Sequence, residues 1–436
     1  MASAYPDDLA RFVEERIAER PEAAAMPGSA RALLAGERLR ELLAVAYHAT
    51  FLREEERPVT FRLLAAEPAC IPARVREEGP LQVLPFGTQR PLTVQELRRL
   101  APAAKLMRSL VGVGRQNGSL AIWGIVHSGT GWLSPVFGGR RRGDGLPPLP
   151  TVLASGPGRL LVGLGDAVVA TLRDGRITEP VQDVFSSAWL PALFQDARGD
   201  VMRVHGERMA ALGVPVRPVG SDVVRMVGQH FVRRLVSTIR AARHGGTLLL
   251  VPPACAAGIA HDDSYVRLKY RFDDGAGRRR FRRILLAILE RLATTSPGPP
   301  GEPVGWEDFA TSQDPVIQEL EEALFELAHF VATLADVDGA VVLTKTFELV
   351  GFGGEIRGEL PLVANVARAL DAEGHHVDLE PTDAVGTRHR SVYRIASVFP
   401  DALCIVVSQD GAARVVHAPG GVVTYWDQFT GFGLDG

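Results

Sequence analysis

Twice in the second half of the chain, a long amphipathic helical pattern is followed by glycine and then by a short run of wholly apolar residues. The first helical run leads into "TLLLVPP" at 247–253, and the second leads into "AVVL" at 340–343. Apolar runs without polar alternation are typical of strands that are buried on both faces. Since helices must then cover both faces of the sheet, residues 222–436 are predicted to form a three-layer α/β domain with a mixed central sheet.

The first half of the chain has a different pattern of apolar residues. Residues 1–57 carry apolar residues at helical spacing, as in Leu9, Val13 and Ile17. Residues 58–200 contain strand-like runs such as "LQVLPF", "SLAIWGIVHS" and "AVVATLRDG", separated by glycine, proline and Asp-Gly turns. These patterns predict N-terminal helices followed by a mostly antiparallel α+β domain.

Composition excludes several functional classes. The 436 residues have a net charge of −3, which argues against nucleic acid or a membrane surface as the main partner. The three cysteines follow no metal-ligand spacing, and neither a secretion signal nor a run of 18 apolar residues is present. We therefore expect a cytoplasmic protein that does not contact a membrane.

Asp338-Gly339-Ala340 stands where the second helix gives way to its buried strand. A carboxylate at such an edge can bind a metal ion or accept a proton, and the two small residues leave room for a ligand to approach the backbone. An ordinary Asp-Gly turn is the alternative. The glycine-rich segment "GFGGE" at 351–355 is interpreted as a turn that follows this strand.

Arg388-His389-Arg390 follows Gly386-Thr387. Three consecutive side chains cannot lie on one face of a helix, but at the tip of a loop that enters a helix they can converge on one anion. We predict such a loop tip, with the helix following from Ser391. Taken alone, the triplet would be interpreted as a solvated run of charge.

The order of these segments resembles the diadenylate cyclase (DAC) domain, found in the bacterial DNA-integrity scanning protein and in membrane-bound cyclases that make cyclic di-AMP. The family's two signature motifs, DGA and RHR, are both intact, and the resemblance covers roughly residues 222–425. It implies that two ATP molecules bind in facing domains of a homo-oligomer and that each 3′-hydroxyl attacks the α-phosphate of the other nucleotide. It also implies that the N-terminal α+β domain, at 58–200, is a sensor for a ligand that the residues do not identify.

The resemblance implies a role for each motif residue. Asp338 would lie near the attacking hydroxyl and bind Mg²⁺ or Mn²⁺, with Asp410 as a second carboxylate. Gly339 and Ala340 would let the nucleotide lie close to the backbone. The residues expected to hold the phosphates are Gly386, Thr387, Arg388, His389, Arg390 and Ser408. Phosphoryl transfer depends mainly on positioning and charge neutralisation, which suits these residue types.

Two departures from the family pattern keep alternatives open. An insertion at about 255–313 precedes DGA, and "SQDG" replaces the Ser-Glu-Glu of many members. The chain could therefore bind a nucleotide and signal without turnover, or make another cyclic dinucleotide. A third alternative is a nucleic-acid contact by the arginine run between Arg278 and Arg283, although such runs are more often solvated helix ends.

Overall fold

The computed structural model describes residues 3–428, apart from residues 25, 74–80, 105–107, 128–146, 166, 174, 179–182, 214–215, 262–264, 300 and 410–411. The described chain divides into two compact units, one up to residue 178 and one from residue 183 onward. No helix in these ranges is both long enough and apolar enough to cross a bilayer.

The first unit combines helices with a sheet. Its helices are α1 (Pro6–Ala18), α2 (Pro21–Ala24), α3 (Gly28–Arg31), α4 (Gly36–Ala49) and α5 (Val94–Leu100). Its strands are β1 (Arg53–Glu54), β2 (Arg57–Pro58), β3 (Phe61–Ala65), β4 (Gln82–Pro91), β5 (Ser109–Gln116), β6 (Ser119–His127), β7 (Pro150–Gly156), β8 (Arg159–Leu164), β9 (Ala167–Arg173) and β10 (Arg176–Thr178).

Eight of these strands form one sheet in the order β10-β9-β8-β7-β3-β5-β6-β4, in which only β3 and β5 pair in parallel. Helices α1 and α4 pack on this sheet, and α1 buries Leu9, Val13 and Ile17. The predicted α+β character and the mostly antiparallel pairing are confirmed.

The second unit alternates helices and strands. Its helices are α6 (Trp189–Leu193), α7 (Gln195–Leu212), α8 (Ser221–Ala242), α9 (Pro253–Ala260), α10 (Arg280–Thr295), α11 (Trp306–Thr311), α12 (Pro315–Thr333) and α13 (Thr387–Val398). Its strands are β11 (Gly246–Val251), β12 (Val266–Arg271), β13 (Ala340–Thr344), β14 (Leu349–Ile356), β15 (Asn365–Ala369), β16 (Val377–Pro381), β17 (Leu403–Val407), β18 (Ala413–His417) and β19 (Thr424–Gln428).

These nine strands form a mixed sheet in the order β12-β14-β13-β11-β17-β18-β19-β15-β16. The pairs β11–β13 and β15–β19 are parallel, and the other pairs are antiparallel. β11, β13 and β17 lie side by side and are buried along their whole length. Their apolar runs have no polar alternation because both faces of this part of the sheet are covered.

Alternate residues of these strands pack on opposite faces. Leu248, Leu250 and Ile405 belong to a core shared with α8, α10 and α12. Leu249 and Cys404 belong to a second core, shared with α9 and α13. The predicted three-layer α/β domain is therefore confirmed. Full burial raises the pKa of the Cys404 thiol to about 12, which keeps it protonated and unreactive.

The glycine-rich segment at 351–355 is not a turn, as the sequence suggested, but part of strand β14. A Cβ on Gly351 would lie 2.3 Å from the carbonyl oxygen of Tyr270 in the neighbouring β12. Glycine here allows two strands to approach closely.

Candidate functional site

Three strand ends meet at one edge of the second unit's sheet. Thr247 of β11 is paired with Ala340 of β13, and Gly246 is paired with Val407 of β17. The DGA motif and Ser408 therefore lie on either side of the residues that precede β11. At about 4.8 Å between neighbouring strands, the outer two are about 10 Å apart, a span that a nucleotide triphosphate can bridge.

Gly245 lies between these strand ends and is in contact with Arg388. Its φ of +68° is in the left-handed region. A Cβ at this position would lie 2.5 Å from both Nη1 of Arg388 and the carbonyl oxygen of Val407. The same guanidinium donates a long hydrogen bond of 3.4 Å to the carbonyl oxygen of His244. The fold thus brings the first arginine of the RHR motif to the edge where DGA begins.

Asp338 is exposed, and its carboxylate has no hydrogen-bond or ion-pair partner in the part of the chain that the structure describes. Gly339, at φ +120°, has a structural reason for lacking a side chain. A Cβ there would lie 2.6 Å from the carbonyl carbon of Gly353 in β14. Ala340 is the buried first residue of β13. The space beside Gly339 is occupied by the backbone of β14, whereas Asp338 remains open to solvent.

The RHR triplet lies in the first turn of α13. The helix begins at Thr387 and not at Ser391, so the predicted loop tip is wrong. The first helical hydrogen bond joins the N–H of Arg390 to the carbonyl oxygen of Gly386. The helix can begin this early because Gly386 at the N-cap is extended, with φ −64° and ψ 162°.

This first turn is suited to an anion. It contains no acidic residue, and Gly386 supplies no capping side chain. The N–H groups of a first helical turn lack acceptors within the helix and carry its positive dipole end. Arg388 is half-buried beside Gly245, while Thr387 and Arg390 are exposed. The ring of the half-buried His389 lies 6.4 Å from that of Tyr393, measured between centroids.

A buried polar network holds α13 against the sheet. Tyr393 is fully buried, and its hydroxyl accepts a hydrogen bond of 2.8 Å from Arg414. Arg414 also donates to Asp427 at 3.1 Å and lies over the ring of Tyr425. Tyr425 in turn donates to Glu380 at 2.5 Å. Satisfied networks of this kind fix one packing arrangement, so they set the position of the helix that carries RHR.

Two residues at this edge were not identified from the sequence. His244 Nε2 lies 2.9 Å from Oδ1 of Asp336, and both side chains are partly exposed. The sequence signals were present but weak: His244 precedes Gly245-Gly246, where β11 begins, and Asp336 stands two residues before Asp338. This pair places a second carboxylate on the approach to DGA.

A divalent metal fits this donor set. Nucleotide-bound Mg²⁺ commonly uses one or two protein carboxylates, with phosphate oxygens and water as its other ligands. Asp338 can supply one carboxylate because no described residue forms a hydrogen bond or an ion pair with it. Within the described residues, no group of three or more His, Cys, Asp or Glu side chains is arranged to hold a metal by itself. Asp410, the other predicted ligand, lies outside the described residues.

Ser408 directly follows β17 at the same edge. Its hydroxyl donates to the carbonyl oxygen of Ala412 at 3.1 Å, and its N–H donates to the same oxygen at 2.8 Å. The half-buried side chain is thus hydrogen-bonded to Ala412, the residue that precedes β18. A phosphate that binds here would compete with the carbonyl oxygen of Ala412 for the hydroxyl.

The arginine run at the start of α10 is largely engaged in ion pairs. Arg278 and Arg279 both approach Glu348, at 3.2 Å and 3.5 Å. Arg282 pairs with Asp200 at 2.5 Å. Since these guanidinium groups have intramolecular partners, they offer little free charge to a nucleic-acid backbone.

Residues 30–127 match the family model described as a probable sensor domain, DACNV. The match lies within the first unit and includes α4 and the strands from β3 to β6. It agrees with the prediction of an N-terminal sensor domain. No curated protein matches the chain. The match ends before the second unit, so the interpretation of that unit depends on its own residues.

Proposed function

We propose that the protein is a diadenylate cyclase, in which the second unit converts two ATP molecules into cyclic di-AMP and two pyrophosphates under the control of the sensor domain. The observation that carries the proposal is the convergence of Asp338 with Arg388 at the edge formed by β11, β13 and β17. This arrangement places a solvent-exposed carboxylate and a cationic helix N-terminus at the same edge of the sheet. Such a pairing suits a bound triphosphate.

The chain's own groups would act by binding and positioning. Arg388, Arg390 and the first-turn N–H groups of α13 would bind phosphate oxygens and stabilise the charge that develops at the α-phosphorus. Groups of this kind typically contribute about 3–4 kcal/mol each to transition-state stabilisation. Asp338 would orient the 3′-hydroxyl and hold the metal. A bound Mg²⁺ or Mn²⁺ would neutralise charge on the phosphates.

Two copies of the domain must face each other for the ring to close. Each 3′-oxygen forms a bond to the α-phosphorus of the other ATP as the bond to pyrophosphate breaks, and each hydroxyl loses its proton. Because both phosphodiester bonds join the two nucleotides, one domain with one ATP cannot make the product. We place this activity in the cytoplasm, where ATP is available.

The test is incubation of the purified full chain with ATP and either metal, followed by mass spectrometry. We expect cyclic di-AMP, with a rate per protomer that rises with protein concentration as facing pairs form. Absence of any cyclic product across metals and concentrations would overturn the proposal. Stoichiometric ATP binding without pyrophosphate release would instead favour a nucleotide-binding sensor. A mixed product from ATP and GTP would change only the substrate.

A further inference from the structure

The second unit contains a pocket on the face of the sheet that is covered by α8 and α10. It encloses about 590 Å³ of empty space, its open mouth included. Helices α6, α7, α8 and α10 form its walls, together with residues 345–347 and the start of β17.

The pocket is separate from the candidate nucleotide site. Leu403, which lines it, is paired with Leu250 near the far end of β11. The N–H of Lys345, another lining residue, donates to the carbonyl oxygen of Val251 at 2.8 Å. Arg388 lies beside Gly245, at the opposite end of the strand. At about 3.3 Å per residue, the six residues of β11 separate the two places by roughly 15–20 Å.

The wall of the pocket is largely aromatic and aliphatic. Phe347 lies 4.5 Å from Phe281 and 6.0 Å from Phe194, measured between ring centroids. Leu190 and Val201 add aliphatic surface. Such a wall has few hydrogen-bonding groups, so it suits a hydrocarbon body better than a nucleotide or a sugar.

Three cationic side chains, from Arg198, Arg225 and Lys345, line the same pocket. Arg198 donates to the carbonyl oxygen of Pro191. Among the described residues, neither Arg225 nor the ammonium of Lys345 has a hydrogen-bond or ion-pair partner.

The charges in the pocket are poorly compensated. Desolvation lowers the pKa of Lys345, and the attraction of Asp401 and Asp196 offsets this only in part. Desolvation also lowers the pKa of Arg198, as does repulsion from Arg225. An anion that bound among these groups would relieve the repulsion and supply the missing partner.

We propose that this pocket binds an aliphatic carboxylate, with its hydrocarbon chain against Phe194, Phe281 and Phe347 and its carboxylate among the lining cations, of which the side chains of Arg225 and Lys345 have no partner in the described part of the chain. The apolar wall favours binding of the ligand's hydrocarbon chain, and the unpartnered cations favour binding of its carboxylate. Each methylene that is buried adds to the hydrophobic contribution, so the length of the hydrocarbon chain sets the affinity. The site does not depend on the cyclase activity.

Calorimetry of the full chain with decanoate, below its micelle concentration and without ATP, tests the proposal. We expect saturable 1:1 binding in the micromolar range, at least about tenfold weaker binding of decanol, and no detectable binding of acetate. The double variant Arg225→Gln/Lys345→Gln should weaken decanoate binding about tenfold or more and leave decanol binding unchanged. Arg283→Gln is the matched control, because Arg283 is exposed on α10 but does not line the pocket.

A second variant tests the pocket itself. Ala197 is a half-exposed lining residue on α7, so Ala197→Trp should fill the mouth without disturbing the core. We expect it to abolish binding of both decanoate and decanol while thermal unfolding stays unchanged. The proposal is overturned if the wild type shows no saturable decanoate binding, if the charge variant binds decanoate like the wild type, or if the folded Ala197→Trp variant still binds it.

Discussion

The guanidinium of Arg388 lies against the backbone of Gly245, so close that a methyl group on the glycine would lie 2.5 Å from Nη1. This contact joins the start of α13 to the start of β11, two segments that are more than 140 residues apart in the sequence. It makes the geometry of the candidate site dependent on a single glycine, whose backbone is in the left-handed region.

Gly245→Ala should therefore lower the free energy of unfolding by more than the strain of a left-handed backbone alone would. Gly213→Ala is the matched control, because Gly213 has a similar φ of +65° and a Cβ there would meet no described atom within 4 Å beyond its chain neighbours. The control should cost about 1–2 kcal/mol in urea unfolding. At Gly245, the collision of the added methyl group with Val407 should add about 1–3 kcal/mol and reduce ATP affinity through the displaced Arg388. Equal costs for the two variants would contradict the contact.

Asp338→Asn should abolish cyclisation while sparing ATP binding, because the amide keeps the shape of the side chain but loses the charge that orients the hydroxyl and holds the metal. Cyclic di-AMP formation and calorimetric ATP binding measure the two effects separately. Asp378→Asn, at an exposed position on β16, should leave both unchanged. If Asp338→Asn still made product at the wild-type rate, the carboxylate would have no catalytic role.

Arg388→Ala combined with Arg390→Ala should weaken ATP binding as well as turnover. Both guanidinium groups belong to the first turn of α13, where the phosphates are expected to bind. Loss of one such electrostatic contact typically costs about 3–4 kcal/mol in the transition state, or roughly 10²–10³ in rate. Calorimetry and steady-state rates check this, with Arg283→Gln as a control for the loss of exposed positive charge. Unchanged ATP affinity would show that the phosphates bind elsewhere.

Gly386→Asp should stabilise the protein and impair nucleotide binding. A Cβ at Gly386 would meet no described atom within 4 Å beyond its chain neighbours, and an aspartate at the N-cap can accept hydrogen bonds from the first turn. We expect a gain of roughly a few tenths of a kcal/mol in urea unfolding, because glycine is already a tolerated N-cap residue. ATP binding should weaken because the carboxylate takes the place of phosphate. Gly386→Asn separates the effects, since it caps the helix without adding negative charge.

His230 should make stability fall as the pH drops below neutral. Desolvation and the charges of Arg233 and Arg234 lower the pKa of His230 to about 3. Because the unfolded histidine binds its proton near pH 6.5, the unfolded state binds more protons between these values, and acid removes stability. The loss from this group should be about 2 kcal/mol between pH 7 and pH 5.

Urea unfolding at the two pH values checks this contribution. His230→Gln should flatten the dependence on pH, whatever it costs in absolute stability through the lost contact with Trp306. His375→Gln, at an exposed position, should keep the wild-type slope. An unchanged slope for His230→Gln would mean that this imidazole binds its proton as readily in the folded protein as in the unfolded chain.

Much of the second unit could be predicted from local pattern. The uninterrupted apolar run at 247–251 indicated a strand covered on both faces, and β11 is such a strand. The sequence places the start of α13 too late because "GTRHR" concentrates positive charge where the helix dipole disfavours it, and no side chain caps the helix that forms there. The contacts of α13 with the sheet, through residues such as Tyr393, outweigh that local penalty.

The motifs DGA and RHR could be recognised in the sequence because their residue types suit phosphate chemistry in any fold. Their meeting was decided only by the tertiary structure, through the parallel pairing of β11 with β13 and the antiparallel pairing of β11 with β17. The pairing of His244 with Asp336 and the cationic pocket beside Phe347 were likewise decided only by the tertiary structure. Sequence patterns report local propensity and burial, whereas a site depends on distances between segments that only strand register and helix packing determine.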